Sequence, residues 1–160
     1  MTAATLDRPT PEKVQLGPRW TWERLMDLRA EALVKLEALR NTGVKNPLDA
    51  EVVFKVAAGQ EASHRDASQS GSRPVGALLR EGYLGEMEDM LGVGFARAET
   101  VPQVANESLG VDIEVLDSRE RYQRCARCWK RRPDVGSDKD YPDLSARDAA
   151  VVKALRGAGH

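Results

Sequence analysis

Apolar residues recur along this chain with two different periods, and the switches between them divide it into elements. From Thr21 to Arg40, Leu25, Leu28, Ala32, Leu36 and Leu39 fall at three- and four-residue steps, the spacing of one helix face. Trp22 and Met26 widen that stripe, and its edge position predicts Trp22 as a core residue. Thr21 suits the N-cap, Glu23 the first turn and Asn41-Thr42-Gly43 the stop. After a break at Asn46-Pro47, Glu51 to Val56 alternates. Val52, Phe54 and Val56 share one face and Glu51, Val53 and Lys55 the other, which predicts a half-buried strand. Val75 to Leu91 predicts one or two short helices interrupted near Gly82 and Gly85. Gly92 to Ala96 reads as a short strand, and Val111 to Leu116 as a third, with Val111, Ile113 and Val115 inward. This order predicts an α+β fold: a small sheet of about three strands with helices on one face.

The segments between carry less pattern. Met1 to Pro18 holds three prolines and reads as a flexible arm. Gly59 to Pro74 is polar and aperiodic, a loop in which His64 is expected to be solvated. No internal repeat is present. The expected organisation is an arm over 1–18, an α+β domain over 19–117, a knuckle over 118–155 and a tail over 156–160.

Charge changes the picture only locally. The chain has 24 basic and 25 acidic side chains, so bulk charge predicts neither nucleic acid nor membrane as a partner. Between Arg119 and Arg132, however, seven side chains are basic and one acidic, a local +6. That is the footprint of a polyanion site, or else a solvated face. Met1 to Thr10 shows no apolar run of a signal peptide, and no stretch approaches the roughly 20 apolar residues of a membrane span. A C-x-x-C pair without an export signal points to a reducing compartment, here the cytoplasm.

That pair, Cys125 and Cys128, carries the candidate chemistry. Two thiols at this spacing can grip one zinc ion. A redox pair shares the spacing, but needs a strand before it and a lowered thiol pKa. The usual completion is a second C-x-x-C some 15 to 20 residues on. After sixteen intervening residues the chain has Ser145-Ala146-Arg147-Asp148 instead. The metal expectation is therefore either none, or zinc at an incomplete site of Cys125, Cys128 and Asp148 with His160 or Asp143. Without metal, packing by Trp129, Pro133, Tyr141 and Leu144 is expected to hold the knuckle.

The motifs Arg124-Cys125-Ala126-Arg127-Cys128-Trp129, Arg132-Pro133-Asp134-Val135-Gly136 and Leu144 to Asp148 resemble the C-terminal zinc finger of bacterial isoleucyl-tRNA synthetases. That finger type also occurs in formamidopyrimidine-DNA glycosylases. Upstream, Trp22 to Arg40 resembles the last helix of the synthetase anticodon-binding region, and Pro47 to Val52 the turn into its next strand. The resemblance covers Trp20 to Leu155. It implies a zinc bound by four cysteines, with Ser145 and Asp148 standing here where the second pair belongs. It also implies that the region helps to hold a tRNA anticodon arm. The chain shows neither the His-x-Gly-His nor the Lys-Met-Ser-Lys-Ser signature of a synthetase catalytic domain. A short non-catalytic relative is the expectation, either free-standing or a fragment of a longer synthetase.

The expected function is binding of tRNA or another structured RNA. Arg119, Arg121, Arg124, Arg127, Lys130, Arg131 and Arg132 would meet phosphates, and Tyr122 and Trp129 would stack on unpaired bases. Trp129 reads slightly more readily as a core residue closing the knuckle than as a stacking platform. The alternative function is a protein-interaction factor that docks on a synthetase, a ribosomal protein or an RNA-processing protein. No nucleophile–base pair or phosphate loop is visible. The glycines at 92 and 94 lack the third glycine of a dinucleotide fingerprint.

Overall fold

The computed structural model describes residues 20–58 and 75–159. The N-terminal arm, the polar loop with His64 and the candidate ligand His160 lie outside them. Helix α1 spans Trp20–Asn41. Leu25, Leu28 and Ala32 are fully buried and Leu36 and Leu39 pack beside them, as the stripe predicts. Trp22 does not join them. It is 57 % exposed, because one residue's rotation past the stripe carries its ring off the sheet-facing side.

A single 3-10 turn, Pro47–Asp49, links α1 to strand β1, Ala50–Ala57. Asn46 caps it by accepting from the Leu48 amide at 3.1 Å. Helices α2, Val75–Leu78, and α3, Leu84–Leu91, are joined by a wide turn over Leu79–Tyr83. The kink sits at Gly82, whose φ of 137° only glycine adopts freely. Gly92 then ends α3 in the left-handed conformation. Strand β2 therefore starts later than Gly92 and runs over Phe95–Val101. Strand β3 spans Val111–Asp117.

The strand order is β2-β1-β3, with β1 parallel to β2 and antiparallel to β3. Val52, Phe54, Val56, Ala96, Val111 and Ile113 pack with α1 and α3 in one apolar core. The fold is α+β, as expected. The opposite face of the sheet is charged and internally paired. Lys55 meets Glu114 at 2.7 Å, and Arg97 bridges Glu51 and Glu99. Val53 and Glu51 are nonetheless buried on that side, so the first half of β1 is covered on both faces rather than half-buried.

Residues 118–145 form a compact turn structure docked on the end of β1. The Ser118 amide donates to Asp49 O at 2.8 Å and the Arg131 amide to Leu48 O at 3.2 Å. A last helix, α4, spans Ala146–Gly157. None of the described helices is long and apolar enough to cross a membrane.

Candidate functional site

The C-x-x-C turn is built from backbone bonds. The Trp129 amide donates to Cys125 O at 3.0 Å, and the Cys125 amide to Lys130 O at 3.0 Å. A β-bridge pairs Arg124 with Arg131. The second half is stitched on through Ala126 N to Asp143 O at 2.9 Å and Gly136 N to Leu144 O at 3.1 Å. Cys125, Leu144 and Ala149 form a small buried cluster, with Cys128, Val135, Tyr141 and Val152 around it. Leu144 and Tyr141 thus pack as expected. Pro133 is exposed and Trp129 is 61 % exposed, so neither closes the knuckle.

The seven cations are not an open cationic surface. Arg124 and Arg131 both bond to Asp49, at 2.9 and 2.7 Å. Arg121 lies 2.7 Å from Glu51 Oε2, an ion pair off the hydrogen-bonding line. Lys130 donates to Glu88 at 2.9 Å and Asp89 at 3.0 Å, and Arg132 to Glu88 and Asp134. Arg119 folds back on Asp117 at 2.8 Å. Arg127 has the loosest partner, Asp148 at 3.7 Å. Asp49, Glu51 and Glu88 are buried, and each bonds at least one cation of the knuckle. The expectation of a free +6 segment is corrected accordingly. The physical reason is that a buried carboxylate needs a close partner, and these cations supply it.

Tyr122 is turned inward as well. Its ring sits edge-on to Phe95 at 6.0 Å, and its hydroxyl donates to Glu51 Oε1 at 3.3 Å. Lys130, Arg131 and Arg132 side chains are 18–24 % exposed and act as struts between knuckle and body. Arg119, Arg121, Arg124 and Arg127 keep 42–48 % of their side chains exposed. Trp129 has φ 64°, a backbone setting that bulky side chains avoid. A large ring is thus held out in solvent on a strained turn, next to the arginine turn residue Arg127.

Burial pushes the Asp49 carboxyl up, but hydrogen bonds and charge from Arg124 and Arg131 outweigh it and hold it below the usual value. A lowered folded pKa contributes stability that is complete above the unfolded value of about 3.9 and is lost as pH falls through the folded value. Melting temperature measured from neutral pH downward is expected to begin falling below about pH 4 in the native protein. In Asp49→Asn that acid-dependent loss is expected to be smaller.

Two thiols and one carboxylate converge behind the turn. Ligand atoms of Cys125, Cys128 and Asp148 lie within 4.8 Å of one another. Burial, and then the neighbouring Asp148 carboxylate, push the Cys128 thiol up to about 11, opposite to what a redox thiol needs. The fourth corner is Ser145, whose hydroxyl donates to Asp148 Oδ2 at 3.0 Å and accepts the Asp148 amide at 3.3 Å. Neutral hydroxyls are poor zinc ligands. The acids further along are used elsewhere: Asp138 and Asp140 pair with Lys153 at 2.6 and 3.3 Å. Asp143 is exposed.

Residues 123–151 match a family described as "Zinc finger found in FPG and IleRS". The chain is 29 % identical to the isoleucine–tRNA ligase of Stutzerimonas stutzeri over 151 residues, 93 % of this chain and 14 % of that protein. It is 31 % identical to the Bordetella pertussis isoleucine–tRNA ligase over 139 residues, 86 % of this chain and 12 % of that protein. The chain is a relative of the isoleucine–tRNA ligases. A 47-residue segment is 40 % identical to the Brucella abortus isoleucine–tRNA ligase. The chain spans between an eighth and a seventh of the length of the two ligases it matches over most of its own length. The four-donor zinc site implied by the finger family is not reproduced in these residues: two thiols and a carboxylate are present, and the fourth side chain is a hydroxyl already engaged at both ends.

Helix α4 and the three buried acids were missed by sequence reasoning. Ser145-x-x-Asp148 before an apolar run is a capping-box signal, and it was legible. The pairing of Asp49, Glu51 and Glu88 with side chains 42 to 82 residues away has no local signal.

Proposed function

We propose that this synthetase-related chain is a non-catalytic cytoplasmic module that binds tRNA or another structured RNA through the exposed edge of its knuckle. Trp129 would stack on an unpaired base, Arg127 would meet an adjacent phosphate, and Arg119, Arg121 and Arg124 would form the rim. The observation that carries this reading is the solvent-exposed Trp129 ring at positive φ, since strained, exposed aromatics of this kind mark contact sites. The matched ligases are named for a tRNA, and that supports the choice of ligand.

Because most of the cations are already neutralised, salt should matter less than the residue count suggests. Each phosphate neutralised contributes a slope of about −0.7 to −0.9 in log K against log salt. Filter binding to tRNA is expected to give a total slope of about −1.4 to −1.8, that of about two phosphates. A slope near −5 or steeper would mean that the struts let go and that the paired arrangement is not the binding form.

A second reading, a protein-interaction factor docking on a synthetase, ribosomal or RNA-processing protein, is favoured by Trp22 and Val34, 57 % and 72 % exposed on α1. A protein complex that survives nuclease treatment would support it.

A further inference from the structure

We propose that this knuckle is held without a metal ion: Ser145-Ala146-Arg147-Asp148 has exchanged a metal half-site for a helix N-cap, and a hydrogen-bonded ring through Cys125, Ser145 and Asp148 takes the ion's place. The exchange is possible because both devices need the same spacing. A C-x-x-C half-site sets its donors three residues apart. An N-cap serine bonds the amide three residues on as well.

Ser145 has the extended backbone of an N-cap, φ −66° and ψ 158°, and its Oγ accepts the Asp148 amide. Asp148 lies in the first turn of α4, where negative charge is favoured by the helix dipole. The ring closes onto the first half-site. The Ser145 amide donates to Cys125 Sγ at 3.3 Å, the Cys125 thiol donates to Asp148 Oδ2 at 3.1 Å, and the Ser145 hydroxyl donates to the same oxygen at 3.0 Å. Among the described residues, the buried side-chain oxygens and nitrogens without a hydrogen bond are Glu51 Oε2 and Ser118 Oγ. Neither belongs to this group, so no buried side-chain oxygen or nitrogen of the ring is left orphaned for an ion to satisfy. Entry of an ion would require the thiols to give up their protons and Asp148 to give up its hydrogen-bond donors, with only a neutral hydroxyl as fourth ligand.

Small zinc fingers depend on their ion because they bury too little else. This one is tied to a larger body. Asp49, Glu51 and Glu88 hold it from the sheet and α3, and Cys125, Leu144 and Ala149 close its own small core.

The test uses the full chain purified without a histidine tag. Metal content by mass spectrometry is expected to be below about 0.1 zinc per chain, and the melting midpoint is expected to stay within about 1 °C on adding excess EDTA or excess zinc. The double variant S145C/D148C rebuilds four thiols, and it is expected to take up one zinc and to melt lower after chelation. A wild-type chain that purifies with close to one zinc, or whose midpoint rises with zinc and falls with EDTA, overturns the proposal. Should S145C/D148C fail to fold, the wild-type measurements decide alone.

Discussion

Asp49→Ala is expected to destabilise the protein by about 3–5 kcal/mol, a lowering of roughly 6–20 °C in melting temperature for a chain of this size. The residue is a single buried carboxylate at the end of the 3-10 turn, yet it holds Arg124 and Arg131 at once. Removing it leaves Arg131, four-fifths covered, without its counter-charge. The backbone bonds of the joint, the Ser118 amide on Asp49 O and the Arg131 amide on Leu48 O, are left in place, so the loss reports the carboxylate. Arg119→Ala is the matched control. Its pair with Asp117 is exposed on both sides, and exposed pairs contribute little. Thermal melts of the two variants should differ widely. If they shift alike, the buried acids do not anchor the knuckle.

Gly94→Ala is expected to be as damaging, for a steric reason. A Cβ at this position would stand 2.2 Å from Leu48 O and 3.0 Å from Arg131 O. Both neighbours are backbone, so neither can swing aside as a flexible side chain would. The glycine lies where the linker before β2, the turn before β1 and the knuckle meet: its amide donates to Ala50 O at 3.1 Å and its carbonyl accepts from Arg132 at 3.4 Å. A loss of about 3 kcal/mol or more follows from overpacking so close a backbone contact. Limited proteolysis should then cut first between Ser118 and Lys130. Gly92→Ala, at φ 66° with nothing within 4 Å of the added atom, should cost only about 1 kcal/mol of backbone strain.

How much of this was legible depends on the range of the interaction. The stripe of α1 and the alternation of β1 and β3 are local periodicities, and they placed those elements to within a residue or so. The break at Gly82 was legible because a positive φ favours glycine. Strand β2 starts later than the pattern predicts because its inward residues, Ala96 and Ala98, are too small to stand out against Arg97 and Glu99. Helix α4 is hidden because the finger motif casts Ser145 and Asp148 as failed ligands, whereas the Ser145 side chain caps a helix on the Asp148 amide. The site suffered most. Seven basic residues in a row suggest a polyanion, but whether each faces solvent or a buried acid is decided by contacts dozens of residues apart. Trp22 and Trp129 show the same limit, since helix rotation and turn geometry set their exposure.

The RNA-binding edge centres on Trp129, and the variant to make there is Trp129→Gly. Glycine accepts the positive φ without strain, so thermal stability should be unchanged or slightly raised. Stacking of one base is worth about 1–3 kcal/mol, so tRNA affinity measured in the same buffer should fall by roughly 5- to 150-fold. A folded Trp129→Gly variant that binds tRNA as tightly as the native chain would contradict the RNA-binding account.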